Sequence, residues 1–108
     1  MADYILPQQM LPAPELIAAM TGTSVFIGTL LQPPVKLILD NQSTSSAVIL
    51  FSFDGVNFIQ WKTFTAGEVL VLDDDIYSFP RGMQIWGNGA ATGNFSASYT
   101  YINYPGIT

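Results

Sequence analysis

The chain of 108 residues is 49% hydrophobic, which is enough for one domain with a modest core. Only 10% of its residues are charged, against roughly 25% in an average soluble domain, so much of the surface must be uncharged and suited to being covered. We expect no direct nucleic-acid binding, because the net charge is -5 with only three Lys and Arg residues, and phosphate neutralisation needs clustered basic side chains.

Residues 1–22 are predicted to form an N-terminal arm, followed by a folded domain over residues 23–108. The arm is interrupted by prolines, namely Pro7, Pro12 and Pro14. Pro14 suits the first position of a short helical turn, Glu15 favours the positive end of that turn, and Gly22 suits its end. The sequence therefore predicts one helical turn near the end of the arm.

We predict that apolar side chains of the arm contact a partner. These side chains are Tyr4, Ile5, Leu6, Leu11, Leu16, Ile17 and Met20. Burying one such side chain contributes about 1.5–3 kcal/mol, whereas ordering one backbone residue costs about 1–2 kcal/mol, so side-chain burial alone does not hold the arm in place. We expect it to be ordered by backbone pairing with a partner or by interlocking with other copies. The alternative is a tail that packs on its own domain.

From Ser24 onward, short apolar or alternating runs are separated by turn residues, which is typical of an all-β domain. The predicted strands cover residues 24–31, 35–40, 46–53, 58–64, 68–73, 83–87 and 94–104, with an extended stretch at 76–79. Strands at this spacing predict a compact antiparallel β-sandwich or small barrel of about seven strands. Several Greek-key strand orders are compatible with such a set, so the order is left open.

The segment FSFDGVNFIQW, residues 51–61, places Asp54 and Gly55 between two runs of alternating aromatic and polar residues. Asp accepts backbone N–H bonds two residues on, and Gly removes the Cβ clash of a left-handed turn, so the pair predicts a β-hairpin. The alternative is a calcium ligand shared with Asp73 to Asp75, but neither Asp pattern has the alternating spacing of a calcium loop. We therefore expect a turn.

The segment EVLVLD has apolar residues at every position from Val69 to Leu72, which predicts a strand covered on both faces, either within this domain or by a neighbouring subunit. The acidic run Asp73, Asp74 and Asp75 follows it. A glycosidase needs two carboxylates facing one cleft, whereas consecutive residues leaving a strand alternate in direction. Without His or Cys, the chain also lacks the usual zinc ligand sets, the Ser-His-Asp triad and the Cys-His pair. We expect no catalytic residue, metal or cofactor.

Aromatic residues are the remaining candidates for a binding site. They include Trp61, Trp86, Tyr77, Tyr99, Tyr101 and Tyr104. Such rings stack against sugars, but they also pack in cores and interfaces, where each buries about 150–250 Å². We expect packing to be their main role.

The segment FSFDGVNFIQW is similar to the S-x-D-G-x-x-W/F hairpin of discoidin-type sugar- or lipid-binding sandwiches and of many small β-proteins in tailed-phage particles. The whole layout resembles the phage structural proteins. An apolar, proline-rich arm precedes a sandwich rich in Ser, Thr and Asn that lacks Cys and His and has a Tyr-rich last strand. This resemblance implies a small β-sandwich structural protein of a tailed-bacteriophage virion.

A protein of this kind is expected in many copies on the capsid surface, at the head-tail connector, or in a collar or tail ring, after synthesis in the host cytoplasm. Its expected partners are other virion proteins and copies of itself in a homo-oligomer. No membrane is expected, since no apolar run approaches the ~20 residues that cross a bilayer. The alternative is a carbohydrate-binding module of the discoidin or lectin kind that uses Trp61, Trp86 and the Asp54 hairpin.

Overall fold

A computed structural model describes residues 9–73 and 79–103 of the chain, and these residues form an all-β fold. The strands are β1 (Gln9–Pro12), β2 (Leu16–Ala19), β3 (Ser24–Thr29), β4 (Lys36–Asn41), β5 (Ala47–Ser52), β6 (Phe58–Phe64), β7 (Val69–Asp73), β8 (Gln84–Gly89) and β9 (Asn94–Asn103). Strands β3 to β9 correspond to the seven strands predicted from the sequence. Of the extended stretch predicted at 76–79, only Phe79 is described, and it lies outside the strands.

The described strands form two antiparallel sheets. Sheet A has the order β1-β9-β4-β7, with β2 also paired to β9, and sheet B has the order β3-β8-β5-β6. When β1 and β2 are counted as one edge, this is the strand order of a jelly roll, in which the chain crosses repeatedly between two four-stranded sheets. The predicted antiparallel β-sandwich is therefore confirmed, with nine strands in the described residues in place of about seven.

The core lies between the two sheets because alternate residues of each strand point inward. In β4 the inward residues are Leu37 and Leu39, and in β9 they are Phe95, Ala97 and Tyr99. Across the core, the rings of Phe64 and Phe95 meet edge to face, with centroids 5.2 Å apart and planes at 89°. The period-2 pattern of the sequence is thus what selects the core-facing side of each strand.

The helical turn predicted in the arm is wrong, because residues 16–19 form strand β2. The reason lies in β9, which is ten residues long. Strand β4 pairs with one edge of β9, and the other edge pairs with β1 and β2 in succession. The backbone pairing that the arm was expected to obtain from a partner is provided, for residues 9–19, by β9 of its own chain.

Candidate functional site

The arm residues predicted to contact a partner are divided by the structure into an inward-facing and an outward-facing set. Met20 is a core residue with 2% of its surface exposed, and Leu16 is partly buried against the core. Leu11 is also partly buried. Ile17, in contrast, is 46% exposed and lies beside Ser96 in the register of sheet A. The remaining members of the predicted set, Tyr4, Ile5 and Leu6, lie outside the described residues.

Two glycines of sheet B form the seats of the arm side chains. A Cβ at Gly28 would lie 2.7 Å from both methyl carbons of Leu16, so the Leu16 side chain lies directly on the backbone of β3. A Cβ at Gly87 would lie 3.2 Å from Cε and 3.3 Å from Sδ of Met20. These two close contacts were not predicted from the sequence, although a glycine inside a strand pattern is a recognised signal of close approach.

The arm is also attached by backbone hydrogen bonds outside the two short strands. The Ala13 N–H donates to the carbonyl oxygen of Tyr99 at 2.9 Å, and the Met20 N–H donates to that of Gly93 at 2.9 Å. The Gly22 N–H donates to the carbonyl oxygen of Gly89 at 2.7 Å. Strands β1 and β2 therefore lie along almost the full length of β9, with Pro14 in the break between them.

The Asp54 hairpin is the turn that the sequence predicts. One oxygen of Asp54, Oδ1, accepts the N–H groups of Val56 and Asn57, each at 2.8 Å, and Oδ2 accepts Nδ2 of Asn57 at 2.7 Å. Gly55 has φ = 77°, which a glycine adopts without a Cβ clash. Ser52, the Ser of the S-x-D-G pattern, is buried and accepts the N–H of Gly55 at 2.9 Å. The carboxylate is thus engaged by its own turn.

These bonds hold the pKa of Asp54 well below its ordinary value. The largest cause is the backbone N–H of Asn57, followed by the N–H of Val56 and the side chain of Asn57. Because the pKa of Asp54 is lower in the folded state, its charged carboxylate stabilises the fold at pH values above about 3.9, the pKa of an unfolded Asp. This stabilisation is lost as the pH falls through the pKa of the folded state.

We expect Asp54→Asn to remove this part of the pH dependence, since the amide oxygen still accepts hydrogen bonds but does not titrate. Urea unfolding midpoints are measured near neutral pH and at a pH below about 3.9. On acidification, the midpoint of the wild type should fall more than that of the variant. The control is Asp73→Asn, because Asp73 is exposed at the end of β7. Equal acid sensitivity in the wild type and Asp54→Asn would contradict the role of this carboxylate.

The two tryptophans do not form one binding site. The Trp61 ring packs with the interior rings of Phe51 and Phe64, at centroid distances of 5.3 and 6.2 Å. Trp86 alternates with buried residues of β8 and so lies on the outer face of sheet B. There it meets Phe26 at 5.5 Å and Phe58 at 5.1 Å, both edge to face. The predicted sugar-stacking set is thus divided. Trp61 packs against the core, whereas the Asp54 hairpin lies beside Trp86, because a Cβ at Gly55 would lie 3.5 Å from Oε1 of Gln84 and 3.9 Å from Cζ2 of Trp86.

Trp86 is held in one orientation on that outer face. Its Nε1–H donates to Oε1 of Gln84 at 2.9 Å. Phe26 and Phe58 on either side are 47% and 39% exposed. The result is a fixed aromatic group on the outer face of sheet B, with the amide of Gln84 next to it.

Many large apolar side chains are exposed on the described part of the chain. They are Met10, Ile17, Phe26, Leu31, Phe53, Val56, Phe58, Ile59, Val69 and Val71. Strand β7 shows this most simply, because Leu72 faces the core whereas Val69 and Val71 are exposed on the outer side. Within the described residues β7 pairs only with β4, so it is also an edge of sheet A. An exposed apolar edge strand is a surface that proteins normally protect or use for association.

Carboxylates do not gather into a site among the residues that the structure describes. No group of three or more His, Cys, Asp or Glu side chains lies together there that could hold a metal ion. Asp73 is exposed, and Asp74 and Asp75 lie outside the described residues. Glu68 pairs with Lys62 at 3.1 Å, and its pKa is lowered chiefly by the Thr65 N–H and then by Lys62. In the same residues, no helix has the length and apolarity needed to cross a bilayer.

Comparisons with known proteins give similarity of fold and not of sequence. No family model matches the chain, and no curated protein matches it. Among solved structures it is similar to a protein of Bacillus endospore appendages, described as a family of disulfide-linked pili, with 14% identity, a TM-score of 0.54, and coverage of 94% of this chain and 95% of that one. A second structure, PirA, has 16% identity, coverage of 94% and 96%, and a TM-score of 0.36, which is too low to indicate a shared fold.

Proposed function

We propose that this protein is a non-enzymatic structural subunit that assembles in many copies. The observation that carries this proposal is the exposed apolar surface on a chain of which only 10% is charged. Some of these side chains are neighbours on one face, since Phe26 and Phe58 both meet Trp86, and Val69 and Val71 lie two apart on β7. Contiguous apolar surface of this kind marks sites of association. In an assembly, copies of the chain cover this surface for one another.

The finer proposal is a virion structural protein of a tailed phage, located on the capsid surface, at the head-tail connector, or in a collar or tail ring. It is supported by the resemblance of the sequence layout and by the jelly-roll strand order, which is common in viral capsid domains. Its partners would be other virion proteins and further copies of itself. Because a fold supports many functions, the assembly role depends on the apolar surface and not on the strand order.

The endospore appendage protein offers a parallel for multi-copy assembly on a sandwich of this kind, since its structure is described as a pilus. One chemical difference separates the two. That family is described as disulfide-linked, whereas this chain has no cysteine. Contacts between copies of this chain would therefore be made without disulfides, with apolar burial and backbone pairing as the source of their strength.

A carbohydrate-binding module is the second candidate, and the arrangement around Trp86 favours it. An indole ring fixed by Gln84 and flanked by Phe26 and Phe58 offers a stacking platform next to amide groups. Saturable binding of a sugar, lost in Trp86→Ala, would support this function. The separation of Trp61 from Trp86 leaves the platform with a single indole, which is why assembly is our first choice.

The assembly proposal predicts the effect of placing charge on β7. We expect Val69→Lys/Val71→Lys to raise the dissociation constant of the assembly at least tenfold, because a buried Val contributes about 1.5–3 kcal/mol and about 1.4 kcal/mol is a factor of ten. Both side chains are exposed in the single chain, so the fold should be retained. Native mass spectrometry and light scattering measure the assembly, and circular dichroism checks the fold.

The matched control is Thr44→Lys/Ser46→Lys, which adds the same two positive charges at exposed residues of the polar loop between β4 and β5. This variant should assemble as the wild type does. A wild-type protein that remains monomeric at all concentrations tested would overturn the proposed function, and unchanged assembly of the double variant would remove β7 from the contact surface.

A further inference from the structure

The seat of the arm is a groove along the free edge of β9. Its side is the backbone of β9, which pairs with residues 9–12 and 16–19. Its floor is formed by two glycines of sheet B, Gly28 under Leu16 and Gly87 under Met20. Recognition in such a groove comes from backbone hydrogen bonds together with pockets for alternate side chains. The groove is therefore specific for this segment of the chain, whichever copy supplies the segment.

The link between the arm and the body is short and open to solvent. Strand β2 ends at Ala19 in sheet A, and β3 begins at Ser24 in sheet B, so four residues cross from one sheet to the other. Thr21, Gly22 and Thr23 in this link are exposed. Gly22 has φ = 89°, and a Cβ built on it would have no atom within 4 Å. One left-handed glycine thus directs the arm back onto its own β9.

We propose that residues 9–20 are exchanged between copies, so that the arm of one chain occupies the β9 groove of the next. The inference rests on the proposed function and specifies how its copies are joined. Because Met20 moves with the arm, extension of the remaining three link residues, 21–23, would move the arm away by up to about 10 Å, at ~3.3 Å per residue. The arm would then no longer reach its own groove but would make the same contacts in a neighbour.

The balance between the two arrangements depends on the link and on local concentration. Because the groove contacts are the same in both, they cancel from the comparison. A lone chain favours its own groove through proximity, but in a multi-copy particle the neighbouring grooves are held at comparable effective concentration. Each chain then donates one arm and accepts another, which is a head-to-tail contact that builds rings or filaments.

An engineered cysteine pair can report which chain supplies the arm, because the native chain has no cysteine. Ala19 and Asn94 are directly opposite in the pairing of β2 with β9, and both are exposed. Directly opposed strand residues lie within the Cα range of about 4.4–6.8 Å that a disulfide requires. Assemblies of Ala19→Cys/Asn94→Cys are oxidised and then run on a denaturing gel without reductant.

The matched control is Ser24→Cys/Asn88→Cys, a directly opposed and exposed pair in β3 and β8 of sheet B. Both of these strands belong to the body, so this disulfide joins two residues of one chain, and the control should run as a monomer. The arm pair should run mainly as covalent multimers that reductant returns to monomers. If Ala19→Cys/Asn94→Cys assembles but its oxidised chains run as monomers on the denaturing gel, the exchange is overturned and the proposed function is not affected. Failure of the wild type to assemble would overturn both.

A second pair of variants tests the hinge. Gly22→Ala meets no neighbouring atom but makes the left-handed turn unfavourable, so it should raise the fraction of exchanged, multimeric chains about fivefold or more. Gly67→Ala carries the same backbone penalty at φ = 75°, also with no atom within 4 Å, in the turn between β6 and β7. It should leave the multimeric fraction unchanged. Equal multimeric fractions in the two variants would overturn the role of Gly22.

Discussion

Replacing Asn41 with alanine should lower the free energy of unfolding by about 2–4 kcal/mol, because several buried polar groups then lose their partners. Asn41 is fully buried at the end of β4. Its Nδ2 donates to the carbonyl oxygens of Ser45 at 3.0 Å, Phe64 at 3.3 Å and Thr65 at 2.9 Å. Its Oδ1 accepts both the N–H of Ser43 at 3.1 Å and the Ser43 hydroxyl at 2.6 Å.

These bonds tie together two connections of the sandwich. The side chain of Asn41 is hydrogen-bonded both to the loop after β4 and to the start of the turn after β6. Alanine leaves the buried carbonyl group of Phe64 and the buried N–H of Ser43 without this partner, and each buried group that loses its hydrogen bond costs about 1–3 kcal/mol. Replacement by Asp would keep the acceptor but remove both donor protons and bury a charge, so we expect Asn41→Asp to lose at least as much stability.

Urea unfolding followed by tryptophan fluorescence measures the effect. The control is Gln42→Ala, next in sequence but exposed, with side-chain bonds to Asp40 and Ser96 at 3.2 Å. This control should cost less than about 1 kcal/mol, in line with surface substitutions and single exposed hydrogen bonds. A loss for Asn41→Ala no greater than that of the control would show that the connections do not depend on Asn41.

The second large effect is expected from Gly28→Ala, which should lower the free energy of unfolding by about 1–3 kcal/mol through overpacking. The new Cβ would lie 2.7 Å from both Cδ atoms and 2.8 Å from Cγ of Leu16. The φ angle of Gly28 is not positive, so an alanine can adopt this backbone conformation and the penalty is steric. We expect Leu16 to leave its seat and the pairing of β2 with β9 to weaken.

A double-mutant cycle separates this steric effect from a general weakness of β3. In a Leu16→Ala background the obstructing side chain is gone, so adding Gly28→Ala should cost much less, with a coupling of about 1 kcal/mol or more between the two sites. Hydrogen exchange at the β9 amides gives an independent readout of arm release. Additive effects in the cycle would show that Leu16 does not lie on Gly28 in solution.

Sequence patterns predicted strands β3 to β9 and the hairpin because both depend on neighbours in the chain. In FSASYTYIN, the alternation of Phe95, Ala97 and Tyr99 with small polar residues sets the inward face of β9 whatever lies opposite. The turn at Asp54 is likewise made by Ser52, Gly55 and the residues that follow. The acidic run and the tryptophans suggested binding sites by residue type alone, and residue type carries no information about which side chains meet.

The sequence by itself determined the class of fold and the positions of strands β3 to β9. It also shows that the chain has no His and no Cys side chains. Only the tertiary structure decided that the arm pairs with β9, that Trp61 and Trp86 lie apart, and that Asn41 links two loops. The physical reason is distance along the chain. Leu16 lies beside Ala97 because β4 pairs with only one edge of β9 and leaves the other edge available. The residues near Leu16 in the sequence contain no information about that edge.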